Sequence, residues 1–150
     1  LPDSTLKAVR IGAVRQMLVA SPAYLARQGA PGAVGALANH RLIGTTGPRA
    51  VNEWRFGPRR EAVPVRPRLV VNTVDSAVAA AEAGVGIANL LSYQAEDGLR
   101  AGRLVEVLRP VEPEALPIHL LFEGRRASAS ATRAFIDAMR ARVRDARFPS

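Results

Sequence analysis

The stretch LVVNTVDSAVAAAEAGVGIANL, residues 69–90, predicts a strand, a helix, a glycine turn and a second strand in immediate succession. Thr73 or Asp75 can cap a helix over 75–83, whose Ala and Val residues suit close packing against a sheet. Gly84 is expected to end this helix, and residues 86–90 have the continuous apolar character of a buried strand. A strand–helix–strand unit of this kind favours an α/β fold.

The two glycines of this stretch do not form a dinucleotide-binding motif. Such a motif needs a strand, then the glycines, then a helix whose N-terminus holds phosphate. Here Gly84 and Gly86 follow the helix and precede the strand, and Asn89 stands where the third glycine would be. We therefore assign Gly84 to the helix end and Gly86 to a tight entry into the strand.

Apolar runs and turn residues outside this unit predict a continuing alternation of strands and helices. Strands are predicted at 7–21 (one long strand or a pair), 41–44, 53–57, 61–65, 68–72, 103–108 as an exposed edge, and 117–123. Helices are predicted at 21–29, 30–40, 92–102 and 129–146, the last with an apolar stripe. The pattern indicates the α/β class with largely parallel strand pairing.

Composition restricts the class of protein. The chain has 150 residues, 48% of them hydrophobic, which is enough to build a core. It contains no Cys, so disulfide scaffolds, thiol catalysis and Cys-based metal sites are excluded. No apolar run approaches membrane-spanning length and the first residues do not resemble a signal peptide, so a cytoplasmic protein without membrane contact is predicted.

The net charge of +8 does not by itself indicate nucleic-acid binding. Residues 1–75 carry eleven basic and four acidic side chains, but the basic ones are mostly scattered singly. Aromatic residues do not alternate with them as stacking platforms would. A basic, solvated surface is the preferred interpretation of this charge.

The sequence shows no catalytic arrangement. The G-x-S-x-G nucleophile motif is missing, and the two histidines stand in unrelated contexts. His40 is predicted to end a helix, and His119 lies in the apolar strand 117–123, where a hydrogen-bonded role within the sheet is expected. The carboxylates lack metal-ligand spacing. We predict no enzyme activity, no metal and no cofactor.

A binding site has more support, because ligands of open α/β sheets gather at the carboxyl ends of strands. Three predicted strand ends carry small hydroxyl or amide side chains: Ser21, Thr45 with Thr46, and Asn72 with Thr73 and Val74. Such side chains suit an anionic or polar small molecule. The alternative is that Ser21 and Thr73 only cap the helices that follow them.

The order of these motifs resembles the effector-binding domain of LysR-type transcriptional regulators. The resemblance rests on residues 18–44, the Trp and Phe of 53–57, and the segments 69–90, 99–108 and 117–143. It implies a periplasmic-binding-protein-like, bilobal α/β domain with a complete second lobe and a partial first lobe. Residues 1–20 would end the first lobe and cross over, 21–110 would form the second lobe, and 111–150 would return to the first.

The resemblance also implies a function, that of a ligand-sensing regulatory domain. A small effector, an organic acid or aromatic metabolite, would bind in the cleft between lobes and control DNA binding by a separate helix-turn-helix domain, which is expected to be missing from this sequence. The implied second-lobe cleft positions are Ser21, Thr45, Thr46, Asn72, Thr73, Val74 and Gly86.

The implied protein is a homo-oligomer, with the helix 92–102 on its dimer face. The apolar faces of 117–123 and 129–146 are expected to be partly uncovered, which predicts self-association. Two alternatives share the architecture: a solute-binding module of a transport system, and a bilobal enzyme.

Overall fold

The computed structural model describes residues 6–46, 52–123 and 129–145. The strands are β1 (Leu6–Val14), β2 (Gln16–Ala20), β3 (Leu42–Thr45), β4 (Glu53–Phe56), β5 (Glu61–Pro64), β6 (Leu69–Val71), β7 (Ile87–Leu91), β8 (Val105–Val107) and β9 (Leu116–Glu123). The α-helices are α1 (Pro22–Gln28), α2 (Val74–Glu82), α3 (Ser92–Arg100) and α4 (Ala129–Asp145), with 3₁₀ helices at Val34–Asn39 and Arg109–Val111. The alternation of strands and helices predicted from the sequence is confirmed.

The chain divides into two compact units. The large unit is residues 15–114, and the small unit combines residues 1–14 with 115–150. The assignment of lobes to residues 1–20, 21–110 and 111–150 stays a prediction. Within the described residues, no helix has the length and apolar character needed to cross a membrane.

The large unit is built on a five-stranded sheet in the order β6-β3-β7-β2-β8. Side chains alternate along its strands, so neighbouring residues enter different cores on the two faces. One core joins residues such as Met17, Val19 and Ala88 to α2 and α3 through Ala77 and Ala95. The other core contains Leu18, Tyr24, Leu42, Trp54, Phe56 and Ile87.

The predicted largely parallel pairing is wrong. β3 is parallel to both β6 and β7, but β2 is antiparallel to β7 and β8. The hairpin β4–β5 and the pair β1–β9 are also antiparallel. An apolar run indicates that a strand is buried but does not indicate its direction. The direction depends on how the preceding connection enters the sheet.

Local predictions within the large unit are confirmed. Thr73, rather than Asp75, caps α2 by accepting a hydrogen bond from the Ser76 backbone N–H, and Gly84 follows the helix with φ of 77°. Trp54 and Phe56 are buried on one face of β4, and β8 lies at the edge of its sheet.

The small unit consists of the antiparallel pair β1–β9 and of α4, which packs against β1. Gly12 makes this packing possible, because a Cβ there would lie 2.5 Å from Cγ1 of Val143. Its apolar surface is incompletely covered: Leu121 is 62% and Phe135 55% exposed. The predicted exposure of these two apolar elements is confirmed.

Gly86 has a purely steric requirement at the start of β7. A Cβ at this position would lie 2.3 Å from the carbonyl oxygen of Arg41, which accepts a hydrogen bond from the Ile87 N–H. Since this contact is with backbone, no side-chain rotation can relieve it. The predicted tight strand entry at Gly86 is therefore confirmed.

We expect Gly86→Ala to destabilise the chain by roughly 1–3 kcal/mol, because the added methyl must push apart the start of β7 and the residue before β3. The free energy of unfolding in urea can be followed by the fluorescence of the single tryptophan, Trp54. Gly35→Ala is the matched control, because its Cβ would meet nothing within 4 Å. Equal stability of the two variants would contradict the steric argument.

Candidate functional site

Five of the predicted site residues lie together where β3 and β6 end. Thr45 pairs with Val71 across the two parallel strands, and the Thr46 N–H donates to the Val71 carbonyl oxygen at 2.8 Å. Asn72, Thr73 and Val74 follow Val71 directly. We call Thr45, Thr46, Asn72, Thr73 and Val74 the carboxyl edge.

The carboxyl edge is accessible to solvent and includes a helix N-terminus. Thr46, Asn72 and Thr73 are exposed, whereas Thr45 and Val74 are partly buried. The Thr73 hydroxyl also donates to the Ser76 hydroxyl at 2.7 Å, so Thr73 is oriented by two contacts with the same residue. Beside it the first turn of α2 presents backbone N–H groups, which attract anions.

Ser21 and Gly86 lie at the other end of the strands, away from the carboxyl edge. Because β2 is antiparallel to β7, its last residues lie beside Ile87 and Ala88, and Ile87 in turn pairs with Leu42 at the start of β3. Ser21 is 3% exposed and accepts the Tyr24 N–H at 3.2 Å, as an N-cap does. The structure therefore brings five of the seven predicted residues together and separates two from them.

Sequence reasoning missed a polar group at the beginning of β2. Gln16 is only 6% exposed; its amide donates to Asn89 Oδ1 at 3.1 Å and accepts from Arg60 Nη2 at 3.1 Å. Gln16 pairs with Leu91, the last residue of β7, and so stands at the carboxyl end of that strand. The signal available in the sequence was an amide side chain within each of two apolar runs, Gln16 in QMLVA and Asn89 in GIANL.

Arg15, next to Gln16, joins two glutamates. Its guanidinium donates to Glu112 at 3.0, 2.8 and 2.7 Å and to Glu106. All three side chains are less than a fifth exposed. Arg109 stands 4.0 Å from Glu106 and is mostly exposed. These contacts connect the start of the large unit to its last residues.

Burial, and after it the hydrogen bond with Glu106, raises the pKa of Glu112 to about 7, although Arg15 acts to lower it. The ordinary pKa of this group is 4.5. Between these two pH values the folded chain keeps a proton that the unfolded chain has released. The contribution of Glu112 to stability is therefore complete below about pH 4.5 and is lost as the pH rises towards 7.

His40 and His119 occupy different environments. His40 follows the 3₁₀ helix Val34–Asn39, as predicted, and its Nδ1 lies 3.0 Å from the Tyr24 hydroxyl. His119 is exposed on β9 opposite Arg10. Over the ranges 6–46, 52–123 and 129–145, no three His, Asp or Glu side chains are grouped so that they could hold a metal ion.

We expect Glu112→Gln to flatten the fall in stability between about pH 5 and pH 7, because the amide cannot titrate. Urea unfolding at several pH values measures this slope. Glu96→Gln is the control, since Glu96 forms a more exposed pair with Arg100 on α3. If the free energy of unfolding depends on pH in the same way in Glu112→Gln and in Glu96→Gln, the assignment of the slope to Glu112 is wrong.

Comparison with known proteins identifies the family. A family model described as the LysR substrate binding domain matches residues 1–144. The HTH-type transcriptional regulator PgrR of Escherichia coli is 33% identical over 143 residues, which cover 92% of this chain and 48% of that protein. The chain spans about half the length of the curated relatives it matches.

Solved structures agree with this match. The regulatory domain of AphB from Vibrio vulnificus is 26% identical, with a TM-score of 0.76 over 93% of this chain and 71% of that one. The regulatory domain of CrgA from Neisseria meningitidis, at 24% identity, supports the fold with a TM-score of 0.76 over 94% and 71% of the two chains. The predicted periplasmic-binding-protein-like α/β fold is confirmed, and the chain belongs to the LysR substrate-binding domain family.

Proposed function

We propose that this chain is the ligand-sensing domain of a LysR-type transcriptional regulator. The observation that carries the proposal is the family match over residues 1–144, and PgrR, CrgA and AphB are all named as regulators. In this proposal the chain acts in the cytoplasm and catalyses no reaction. DNA is contacted by a separate helix-turn-helix domain. The named relatives favour this function over a transport module or a bilobal enzyme.

The carboxyl edge is the proposed effector-contacting part of the large unit. It combines exposed hydroxyl and amide groups with the N-terminus of α2, an arrangement that suits a carboxylate or another polar anion. Thr45, Thr46, Asn72, Thr73 and Val74 are the proposed contacts. For Ser21 and Gly86 the local contacts support structural roles, as a helix cap and as a steric requirement.

Effector binding would control transcription by a shift in population. A ligand that binds one conformation of the domain better than another raises the fraction of that conformation, by no more than its difference in affinity allows. The altered arrangement would be passed to the attached DNA-binding domains through the oligomer.

The proposal is tested by a thermal-shift screen of the chain against small organic acids and aromatic metabolites. A ligand at about a hundredfold over its Kd adds roughly 2.7 kcal/mol of stability. We expect Asn72→Ala and Thr73→Ala each to raise the apparent Kd of the ligand about tenfold, and so to reduce its thermal shift, since each removes a polar contact. The same hit should alter the DNA footprint of the full-length regulator.

Asn39→Ala is the matched control for Asn72→Ala. Both asparagines are exposed, but Asn39 ends the 3₁₀ helix that precedes β3 and so lies towards the opposite end of that strand. A hit that Asn39→Ala weakens and Asn72→Ala leaves unchanged would rule out the carboxyl edge. A screen with no hit, together with a footprint that no compound changes, would remove support from the sensing function.

We further expect the purified chain to self-associate through the small unit. Leu120, Leu121 and Phe122 of β9 and Ala131, Thr132 and Phe135 of α4 line an apolar groove of about 330 Å³. Phe135→Lys should shift the sedimentation profile towards monomer, because it places a charge where apolar surface would be buried. Tyr93→Lys is the comparison variant, since Tyr93 lies on α3 and is 50% exposed. If Tyr93→Lys alone dissociates the assembly, α3 is the interface.

A further inference from the structure

A cavity of about 360 Å³ opens on the large unit between the 3₁₀ helix Val34–Asn39, the start of β3 and the end of β5. Its base is apolar and belongs to the core: Leu37, Leu42 and Val65 are 3%, 2% and 6% exposed. Sites for small molecules in proteins have volumes of roughly 300–1,000 Å³ and mostly apolar walls. The size and lining of this cavity fall within that description.

Two nitrogen-bearing side chains, His40 and Arg66, stand on the wall of the cavity. The described residues that line it include no Asp or Glu, so these side chains meet no carboxylate of the cavity itself. An anionic group entering the cavity would therefore meet a cation and an imidazole and no negative charge. The remaining lining is almost entirely aliphatic.

The imidazole of His40 is held in place by a buried tyrosine. The Tyr24 hydroxyl accepts the Arg41 N–H at 3.0 Å and lies 3.0 Å from His40 Nδ1, while Tyr24 itself is 1% exposed. The Tyr24 hydroxyl can donate its proton to Nδ1, and in that tautomer the ring proton of His40 is on Nε2, where it can be donated to a ligand.

We propose that this cavity binds a small carboxylic acid with an aliphatic body. The chain of the acid would cover Leu37, Leu42 and Val65, and its carboxylate would accept hydrogen bonds from His40 Nε2 and the Arg66 guanidinium. The site differs from the carboxyl edge, because the 3₁₀ helix leads into the first residues of β3 and the carboxyl edge follows its last ones. The large unit therefore carries two ligand positions at different ends of one strand.

Calorimetric titration of the chain with octanoate tests this site, with octanamide as the uncharged comparison. We expect one octanoate to bind, octanamide to bind about tenfold more weakly, and Arg66→Gln to weaken octanoate binding by about tenfold, since each change removes a charge-assisted hydrogen bond. Ala38→Trp should abolish binding, because Ala38 lines the cavity and an indole would occupy it.

Ala33→Trp is the control for bulk on the same segment, since Ala33 is exposed, precedes the 3₁₀ helix and does not line the cavity. Thr73→Ala is the control for the carboxyl edge. Binding that survives both Ala38→Trp and Arg66→Gln overturns the proposal, as does the lack of any heat with octanoate. If circular dichroism shows that Ala38→Trp is unfolded, octanoate binding by Arg66→Gln decides the question, because Arg66 is exposed and its substitution leaves the core intact. Loss of octanoate binding in Thr73→Ala alone would place the acid at the carboxyl edge.

Discussion

The pairing of β3 with a parallel strand on each side is the constraint on which the large unit depends. Buried backbone N–H and C=O groups must find partners, and β3 finds them in β6 and β7. At the end of β3 the bond from Thr46 to Val71 holds the exits of two strands together. At its start the Arg41 carbonyl accepts the Ile87 N–H, and the same oxygen lies so close to position 86 that only glycine fits there.

Strand direction then decides which polar groups can act together. The parallel strands β3, β6 and β7 end at one edge, and the antiparallel β2 begins there, which places Gln16 beside the end of β7. Hydroxyl groups that look equivalent along the sequence, those of Ser21 and Thr73, are consequently at opposite edges. Both cap helices, but only Thr73 does so in an exposed position, next to the exposed side chains of Asn72 and Thr46.

Charged side chains of low exposure meet where the chain of the large unit begins and where it ends. Arg15 neutralises carboxylates that burial would otherwise disfavour, yet it is one cation shared by Glu106 and Glu112. Burial is the first cause of the rise in the pKa of Glu112 to about 7, and the neighbouring carboxylate of Glu106 adds to it, because one shared cation cannot fully stabilise both groups as anions. Gln16, Asn89 and Arg60 form a hydrogen-bonded chain in which the Gln16 amide donates to Asn89 and accepts from Arg60.

By itself the sequence determined the elements, the family and the local chemistry of their ends. Periodicity, the Ser21 and Thr73 caps and the Gly84 helix end depend on neighbours a few residues away, so they can be read along the chain. Other features depend on residues that the fold brings together from different segments. They are strand direction, the separation of the seven candidate residues into two groups, the Arg15–Glu112 contacts and the Tyr24–His40 pair. Arg15 and Glu112 are 97 positions apart, and no local pattern carries such a contact. Tertiary structure alone decided these features, because burial and pairing set both the partners and the pKa values of groups whose own residue types do not reveal them.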